Sequence, residues 1–283
     1  MKSLLSPIAG KAGIVTGGTS GFGYAITRAL CARGANLAVF SVDEPGEEAL
    51  NGLGSDDRGE VAFIRKNILD TGASEEMVAE TVEKYGRLDF VIANAGFAIR
   101  FEQPLLSMPV EKVAESLATQ FAVFPTAFTT LTLAAARVMA PRYEAVRADE
   151  TGHRPDSGAV VVTLSEAALC LLRDDLLAYA AAKKATQWAM ESLAASLGPR
   201  NIRVNGIAPG FANTAGPRLF YDRYPRIRED IEARCHLKPS FMAPEAVVPA
   251  VLYLLTDNYV TGATIPLDGG YSIDMNSYFQ EAE

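Results

Sequence analysis

The sequence predicts an α/β fold in which a doubly wound parallel sheet of about seven strands is covered by helices on both faces. Its short apolar runs are continuous rather than alternating, as expected for strands that are buried on both sides. These runs alternate with longer segments of helical periodicity, and a glycine-rich loop follows the first run. Because the composition does not shift along the 283 residues, we expect residues 1–283 to form a single domain.

The first strand, Ala12 to Val15, is followed by a loop with glycine at positions 17, 18, 21 and 23, and then by a helical pattern. This arrangement places backbone N–H groups at a helix N-terminus, where they can receive a pyrophosphate. Gly17 would permit the tight turn, Gly21 the close approach of a dinucleotide, and Gly23 the packing of helix on strand. The loop predicts a Rossmann-like dinucleotide site, although an isolated loop of this kind is also compatible with an ordinary turn.

The remaining elements follow in alternation. The other predicted strands are residues 36–41, 61–65, 88–93, 159–164, 201–207 and 264–267. The predicted helices run from the glycine loop to Gly34, over 73–85, over 110–140 with a kink or division at Pro125, from the region of Tyr179 to Leu197, and over 244–256.

Two segments fit no regular element. Residues 140–158 are polar and predict a surface insertion. Residues 212–242, which we call the lid segment, are rich in aromatic and basic residues and predict an irregular, mobile cover over the substrate. Such a cover favours a fairly large, ring-bearing or acidic substrate. The alternative is a solvated loop whose aromatic side chains pack on one another.

Composition excludes several classes of partner. A net charge of −8 argues against nucleic acid and anionic membrane surfaces. The three cysteines match no metal-site spacing and indicate a reducing compartment. We expect no apolar run to approach the roughly 20 residues of a membrane span. The first strand begins within about ten residues of the amino terminus, which leaves no room for a signal peptide. We therefore expect a cytoplasmic protein that binds no metal, membrane or nucleic acid.

Several motifs occur in a characteristic order along nearly the whole chain. They are the loop Thr16 to Gly23, Asn94-Ala95-Gly96, Tyr179 with Lys183, Pro209-Gly210 with Thr214, and Gly262 with Asp268-Gly269-Gly270. In these motifs the chain resembles the short-chain dehydrogenase/reductase family. The resemblance implies an NAD(P)-dependent oxidoreductase that interconverts a secondary alcohol and a ketone by hydride transfer. It also implies a cofactor site formed by Gly17, Thr19, Ser20, Gly21, Phe22, Gly23, Ser41, Asp43, Asn67, Ile68, Asn94, Ala95, Gly96, Tyr179, Lys183, Pro209, Gly210, Ala212 and Thr214.

Tyr179 and Lys183 are the predicted acid/base pair. Side chains four residues apart share one face of a helix. A free tyrosine titrates near pH 10. A nearby ammonium and an oxidised nicotinamide both favour the phenolate, so that Tyr179 can exchange a proton with a substrate hydroxyl near neutral pH. The resemblance implies that Lys183 also holds the nicotinamide ribose.

The position of the catalytic serine departs from the family pattern. The family places it thirteen residues before the tyrosine, where this chain has Glu166, and Ser165 comes one residue earlier. Neighbouring strand residues point to opposite faces, so only one of them is expected to face the pocket. Ser165 would complete a serine–tyrosine–lysine triad and polarise a carbonyl. Glu166 would raise the pKa of Tyr179, bind a cationic group or act as an acid/base, or else pair with Lys183 or Lys184, or face water.

A second departure concerns proton relay. Many family members carry an asparagine in the helix after the fourth strand, where it holds a water molecule. This chain has no asparagine between Gly96 and Gly158, and Gln120 is the nearest amide. Gln120 is either a substitute in the relay or a polar residue on a packed helix.

The end of the second strand favours NAD over NADP. Ser41 stands where the family's NAD enzymes carry an acid, and Asp43 follows two residues later, either as a ribose ligand or as the start of a turn. The positions at which NADP enzymes carry a cation are Val42 and Ser20, and a 2′-phosphate is poorly held without one. Asn67 stands in the region of the family's adenine contact.

Glu166 and the missing asparagine also motivate a second hypothesis. In this hypothesis the chain is derived from the family but performs non-redox chemistry, as an isomerase, cyclase or lyase, or binds the cofactor without catalysis. Family members commonly associate through their long helices, and the apolar stretch 110–140 fits such an interface. We therefore expect a homodimer or homotetramer acting on a small molecule.

Overall fold

The computed structural model describes residues 8–47, 59–145, 156–171 and 173–273. They form a seven-stranded sheet of order β3-β2-β1-β4-β5-β6-β7, in which every neighbouring pair is parallel. The strands are β1 (Ala12–Thr16), β2 (Asn36–Ser41), β3 (Val61–Arg65), β4 (Phe90–Ala93), β5 (Gly158–Thr163), β6 (Ile202–Pro209) and β7 (Thr264–Leu267). The predicted doubly wound, Rossmann-like architecture is confirmed.

The helices lie on both faces of this sheet. They are α1 (Gly21–Cys31), α2 (Ala73–Tyr85), α3 (Val110–Phe121), α4 (Ala127–Met139), α5 (Pro141–Ala145), α6 (Leu177–Leu197), α7 (Ala215–Arg223), α8 (Pro225–Arg234) and α9 (Val248–Thr256).

Successive side chains of a strand point to opposite faces of the sheet, so the strands contribute to two hydrophobic cores, one on each face. In β5, Val160 and Val162 pack with the residues of α2, α4 and α6, whereas Val161 packs on the opposite face with α1 and α9. Each core burial removes apolar surface from water, which stabilises the fold by about 25 cal/mol per Å². Continuous apolar strands are therefore required, as the sequence indicates.

The strand order reverses between β1 and β4, because the chain first builds outward to β3 and then returns to the other side of β1. In open α/β sheets the crevice at such a reversal, beyond the carboxyl ends of the strands, is the usual ligand site. Thr16, Ala93, Thr163 and Pro209 end the four strands that surround it.

The lid segment differs from its prediction, because it contains the two helices α7 and α8. Their apolar residues are few, but Tyr221 and Ile231 are buried in a small separate cluster with Cys235 and Tyr271. The sequence shows no helical periodicity here because mostly polar residues separate the buried Tyr221 and Ile231. The first helix also ends earlier than predicted, at Cys31, and Gly34 has a φ of +82° in the turn that follows.

The predicted division at Pro125 takes the form of a π-helical turn, Ala122–Thr126, between α3 and α4. A wide turn accommodates the missing N–H of proline without ending the helical run. Of the predicted insertion 140–158, the structure places α5 at its start and β5 at its end, and residues 146–155 lie outside the described residues.

The run Val110–Tyr143 is long and apolar enough, by length and composition, to cross a membrane, and 44% of its most apolar window is buried. The expectation that no run approaches a membrane span was therefore wrong by this criterion. The physical reason is its many alanines, which serve here in the core helix α4. A core helix of a soluble protein passes the same test.

Candidate active site

A cavity of about 750 Å³ lies at the strand-order reversal, large enough for a cofactor-sized molecule. Most of the predicted site residues line it. They are Gly17, Thr19, Ser20, Phe22, Ser41, Asp43, Asn67, Ile68, Asn94, Ala95, Gly96, Ser165, Tyr179, Lys183, Pro209, Gly210, Ala212 and Thr214. Four predicted residues, Gly21, Gly23, Gln120 and Glu166, are absent from this lining.

The glycine loop is folded tightly against its neighbours. Gly17 has a φ of +65°, and its N–H donates to the carbonyl of Phe40 at 2.7 Å. A Cβ on Gly23 would lie 2.0 Å from the carbonyl oxygen of Gly17 and 2.5 Å from Asn94 Nδ2. Gly21 has a φ of +53°, which a side chain would disfavour. The loop therefore presents backbone at the N-terminus of α1, where an anion is favoured.

Asn94 joins three strand ends. Its N–H donates to Thr16 Oγ1 at 3.0 Å, and its side-chain amide donates to the carbonyls of Thr16 and Gly17 at 3.3 and 3.2 Å. Thr163 Oγ1 donates to Asn94 Oδ1 at 3.1 Å. The Asn94 side chain thus has partners for both of its polar atoms and fixes the floor of the cavity.

The far end of the cavity lies beyond β2 and β3. Thr19 Oγ1 and the N–H of Asp43 both donate to Ser41 Oγ, at 3.1 and 3.2 Å. Asn67 Oδ1 accepts from the N–H of Leu69 at 3.1 Å, which leaves its amide nitrogen for a ligand. This end also contains Lys66, which is not among the residues predicted from the sequence.

Lys66 is already paired. Its Nζ lies 2.7 Å from Glu76 and 2.5 Å from Glu80, and these hydrogen bonds raise the pKa of Lys66. The two carboxylates are four residues apart on α2, so they share a face. The sequence does carry a signal for this ion pair, namely a lysine directly after a strand and two acids four residues apart on the next helix.

Helix α6 carries Tyr179 and Lys183 into the other end of the cavity. Lys183 Nζ donates to the carbonyl of Thr163 at 2.7 Å and lies 3.8 Å from the centroid of the Phe124 ring. Burial lowers the pKa of Lys183 to about 7, against the opposing effect of the Glu166 charge. Burial raises the pKa of Tyr179, the Glu166 charge acts in the same direction, and a hydrogen bond with Ser165 opposes them.

Ser165 and Glu166 lie beyond the end of β5, so the alternation expected of strand residues does not apply to them. Ser165 caps a short 3₁₀ turn, Glu166–Ala168, and its Oγ accepts from the N–H of Ala167 at 3.2 Å. Its hydroxyl donates to Glu166 Oε2 at 2.5 Å. Both side chains are buried. Ser165 faces the cavity and Glu166 stands directly behind it.

This arrangement corrects one alternative for Glu166. Lys183 donates to the Thr163 carbonyl and Lys184 to Gln187, so Glu166 pairs with neither lysine, and it is 5% exposed rather than facing water. Burial raises the pKa of Glu166 to about 7, and the Ser165 hydrogen bond opposes this effect.

Gln120 is fully buried away from the cavity. Its Nε2 donates to the carbonyl of Phe97 at 3.0 Å, and its Oε1 accepts from the N–H of Ile99 at 3.3 Å. This side chain therefore holds the loop after β4, in line with the packed-helix alternative. The residue of this helical run that contacts Lys183 is Phe124, from the π-helical turn, and it went unnoticed in the sequence.

Among its described side chains, the lid segment contributes aromatic residues to the cavity but no cation. Of its residues, Ala212, Thr214, Phe220 and Tyr221 line the cavity. Arg228, by contrast, pairs with Asp222 and Glu232. Arg228 is thus held within the lid segment and gives no support to an acidic substrate.

Besides Lys183, the cation Arg100 lines this end, and sequence reasoning missed it. Its guanidinium lies 4.0 Å from the centroid of the Phe220 ring, and its Nη1 bonds Asp175 Oδ2 at 2.9 Å. Arg100 therefore connects the loop after β4 to the lid, and it shares the half-buried Asp175 carboxylate with Arg173.

Known proteins that resemble this chain are dehydrogenases and reductases. A family model described as Enoyl-(Acyl carrier protein) reductase matches residues 17–272. The short-chain dehydrogenase reductase 3a of Arabidopsis thaliana is 31% identical over 269 residues, covering 93% of this chain and 96% of its own. The 2,5-dichloro-2,5-cyclohexadiene-1,4-diol dehydrogenase of Sphingobium indicum is 29% identical over 273 residues, covering 95% and 99%.

The same holds for solved structures. The crystal structure of levodione reductase superposes with a TM-score of 0.78 at 25% identity, covering 94% of this chain and 98% of that one. The matched family region extends from the glycine loop to the end of the described sheet. The chain therefore belongs to the short-chain dehydrogenase/reductase family, an oxidoreductase family whose members bind NAD(P).

Proposed function

We propose that this protein interconverts a secondary alcohol and a ketone with NAD as the preferred cofactor. The observation that carries the proposal is one continuous cavity, with a glycine cradle at one end and Ser165, Tyr179 and Lys183 at the other. The cradle fits a dinucleotide, because Gly17 and Gly23 let the loop pack tightly on Ala95 and Asn94, and the N-terminus of α1 then borders the cavity where an anion is favoured. The nicotinamide would supply the hydride acceptor or donor.

The chain's own residues provide binding and proton exchange. Tyr179 exchanges a proton with the substrate oxygen, and Ser165 forms a hydrogen bond with that oxygen. Because burial keeps Tyr179 protonated, formation of the phenolate depends on nearby positive charge. Lys183 provides part of that charge from its place between Phe124 and the Thr163 carbonyl.

The preference for NAD rests on charge at the far end of the cavity. A 2′-phosphate needs an available cation. Lys66 is bound by two carboxylates, and Ser41 and Asp43 offer none. A ribose with free hydroxyls suits Ser41, Asp43 and Asn67 better.

The substrate end favours a ring compound. Phe97, Phe124, Phe220 and Tyr221 line it, and the Arg100 guanidinium beside them shares the Asp175 carboxylate with Arg173. One relative acts, by its name, on a cyclohexadiene diol. The non-redox alternative receives less support, because Glu166 stands behind Ser165 instead of lining the cavity.

The cytoplasmic location and the homodimer or homotetramer remain predictions. Exposed apolar side chains on α3, α4 and α6, among them Val110, Leu133 and Trp188, are consistent with a subunit interface. Light scattering of the purified protein measures the assembly directly.

Fluorescence titration of the purified protein with NADH and with NADPH tests the proposal. We expect NADH to bind at least several-fold more tightly, and cyclic secondary alcohols to be oxidised with NAD. Stronger NADPH binding would overturn the NAD preference alone. Absence of binding by both dinucleotides would overturn the redox function.

A further inference from the structure

Glu166 is a buried carboxyl group to which the proposed redox mechanism gives no role. It is connected to the proposed catalytic residues through its Oε2 atom, which accepts a hydrogen bond from the Ser165 hydroxyl at 2.5 Å. Charged and titratable groups surround this pair from several elements. They are Arg100, Cys170, Tyr179, Lys183, Tyr221, Cys235, Asp268 and Tyr271.

None of these groups forms an ion pair with Glu166 in the described part of the chain. Arg100 is bound to Asp175, and Asp268 accepts from the N–H groups of Gly270 and Ser272. The Asp268 charge disfavours ionisation of Glu166 and the Arg100 charge favours it. The carboxyl is thus free to exist in either protonation state with Ser165 as its neighbour.

The hydrogen-bonding capacity of Ser165 is small enough to be counted. A hydroxyl offers one donor and two acceptor sites. The N–H of Ala167 occupies one acceptor site at 3.2 Å. One donor and one acceptor remain, and Glu166 takes one of them. Only the other is available to the cavity, where the Tyr179 hydroxyl and a substrate oxygen compete for it.

We propose that the protonation state of Glu166 sets the direction of the Ser165 hydroxyl and thereby which substrate form the site binds. Ionised Glu166 accepts the Ser165 proton, so Ser165 presents an acceptor site that suits an alcohol O–H. Protonated Glu166 donates to Ser165, so the Ser165 O–H is released toward a ketone oxygen. Glu166 is a positioning residue in this scheme, which rests on the proposed alcohol–ketone function.

The pH dependence of each direction is the kinetic test. In the wild type, kcat/KM for NADH-dependent ketone reduction should bend downward as the pH rises through the range in which Glu166 ionises. Glu166→Gln, which cannot titrate, should remove that bend, whereas Glu166→Asp should retain it at a shifted pH. Glu102→Gln, which removes an exposed carboxylate, is the matched control and should leave the profile unchanged.

A double-mutant comparison separates positioning from folding. If Glu166 acts through Ser165, Ser165→Ala should also lack the bend, and adding Glu166→Gln to it should change the profile less than twofold at any pH. A bend that persists in Glu166→Gln, for instance because Lys183 produces it, would overturn the proposal. Melting temperatures of all variants identify any that fail to fold, and Glu166→Asp then carries the test.

Infrared pH-difference spectroscopy tests the pair without turnover. The unliganded wild type should lose the C=O stretch of a buried carboxylic acid as the pH rises through about 7. Glu166→Gln should lack this band, and Ser165→Ala should shift its frequency. A band that Ser165→Ala leaves unmoved would overturn the proposal. A normal band in a protein that neither binds NADH nor reduces ketones would instead overturn the proposed function.

Discussion

The two ends of the cavity are built from different parts of the chain. The glycine-loop wall, residues 17–23 and 94–96, is mostly backbone, held by hydrogen bonds of Thr16 and Asn94. The tyrosine wall, formed by Ser165, Tyr179, Lys183, Phe220 and Tyr221, consists of side chains.

The electrostatics of the two walls differ accordingly. In the tyrosine wall, burial shifts the pKa values of Tyr179, Lys183 and Tyr221 toward their neutral forms. Residues 17–23 and 94–96 of the glycine-loop wall carry no acidic or basic side chain, so the strength of ligand binding there follows from backbone shape. Dinucleotide binding therefore depends on the glycine-loop wall and proton exchange on the tyrosine wall, so mutations can affect one without the other.

The largest expected effect is the loss of proton exchange without loss of dinucleotide binding. Tyr179→Phe should lower kcat for alcohol oxidation by about 10²- to 10⁴-fold, the usual contribution of a positioned acid/base. NADH affinity should stay within a few-fold, because the glycine loop is untouched. Full turnover in this variant, measured by NADH absorbance, would refute the tyrosine mechanism.

Gly23→Ala should weaken NADH binding while leaving the proton-exchanging residues unchanged. The added Cβ would meet the Gly17 carbonyl oxygen at 2.0 Å and Asn94 Nδ2 at 2.5 Å. The loop must shift, with an expected destabilisation of about 1–3 kcal/mol and strongly weakened NADH binding. Gly198→Ala is the matched control, since a Cβ there meets nothing within 4 Å. Equal NADH affinity in both variants, by fluorescence titration, would contradict the role of the cradle.

Glu166→Gln should change the stability of the tyrosine wall in a pH-dependent way. The folded-state pKa of Glu166 is raised to about 7, so its contribution to stability is present below its unfolded pKa and is lost as the pH rises to about 7. Relative to the wild type, the variant should gain up to about 3 kcal/mol of unfolding free energy between pH 4.5 and pH 8.

Denaturant unfolding at several pH values measures this gain. The pKa of Lys183 is lowered, so its contribution is lost as the pH falls toward about 7, but it is common to both proteins and largely cancels in the difference. A difference in unfolding free energy that is independent of pH would show that Glu166 does not titrate in this range.

The smallest expected effect concerns cofactor choice. Glu76→Gln combined with Glu80→Gln should release Lys66 from its two ion pairs and make its charge available to a 2′-phosphate. NADPH affinity should rise several-fold while NADH affinity changes little. Glu75→Gln, on the same helix but not bound to Lys66, is the control. Unchanged NADPH binding would place the determinant of cofactor choice elsewhere.

Much of the glycine-loop wall could be predicted from sequence because it depends on local rules. Strand, glycine spacing and helix follow one another within residues 12–31, and the strands 36–41, 61–65 and 264–267 have the predicted bounds. Helices α7 and α8 were missed because their few apolar anchors pack in a small cluster with residues outside the helices, among them Phe211, Phe241 and Tyr271.

The sequence by itself determined the fold class and the order of motifs, since buried parallel strands need continuous apolar runs and a tight phosphate-type turn needs glycine. Tertiary structure alone decided the partners of the buried polar groups. It placed Ser165 on Glu166, Lys66 on two acids of α2, and Phe124 against Lys183. Such pairings join residues on different elements, or beyond the end of a strand, and their distances and burial follow from packing that no local pattern encodes.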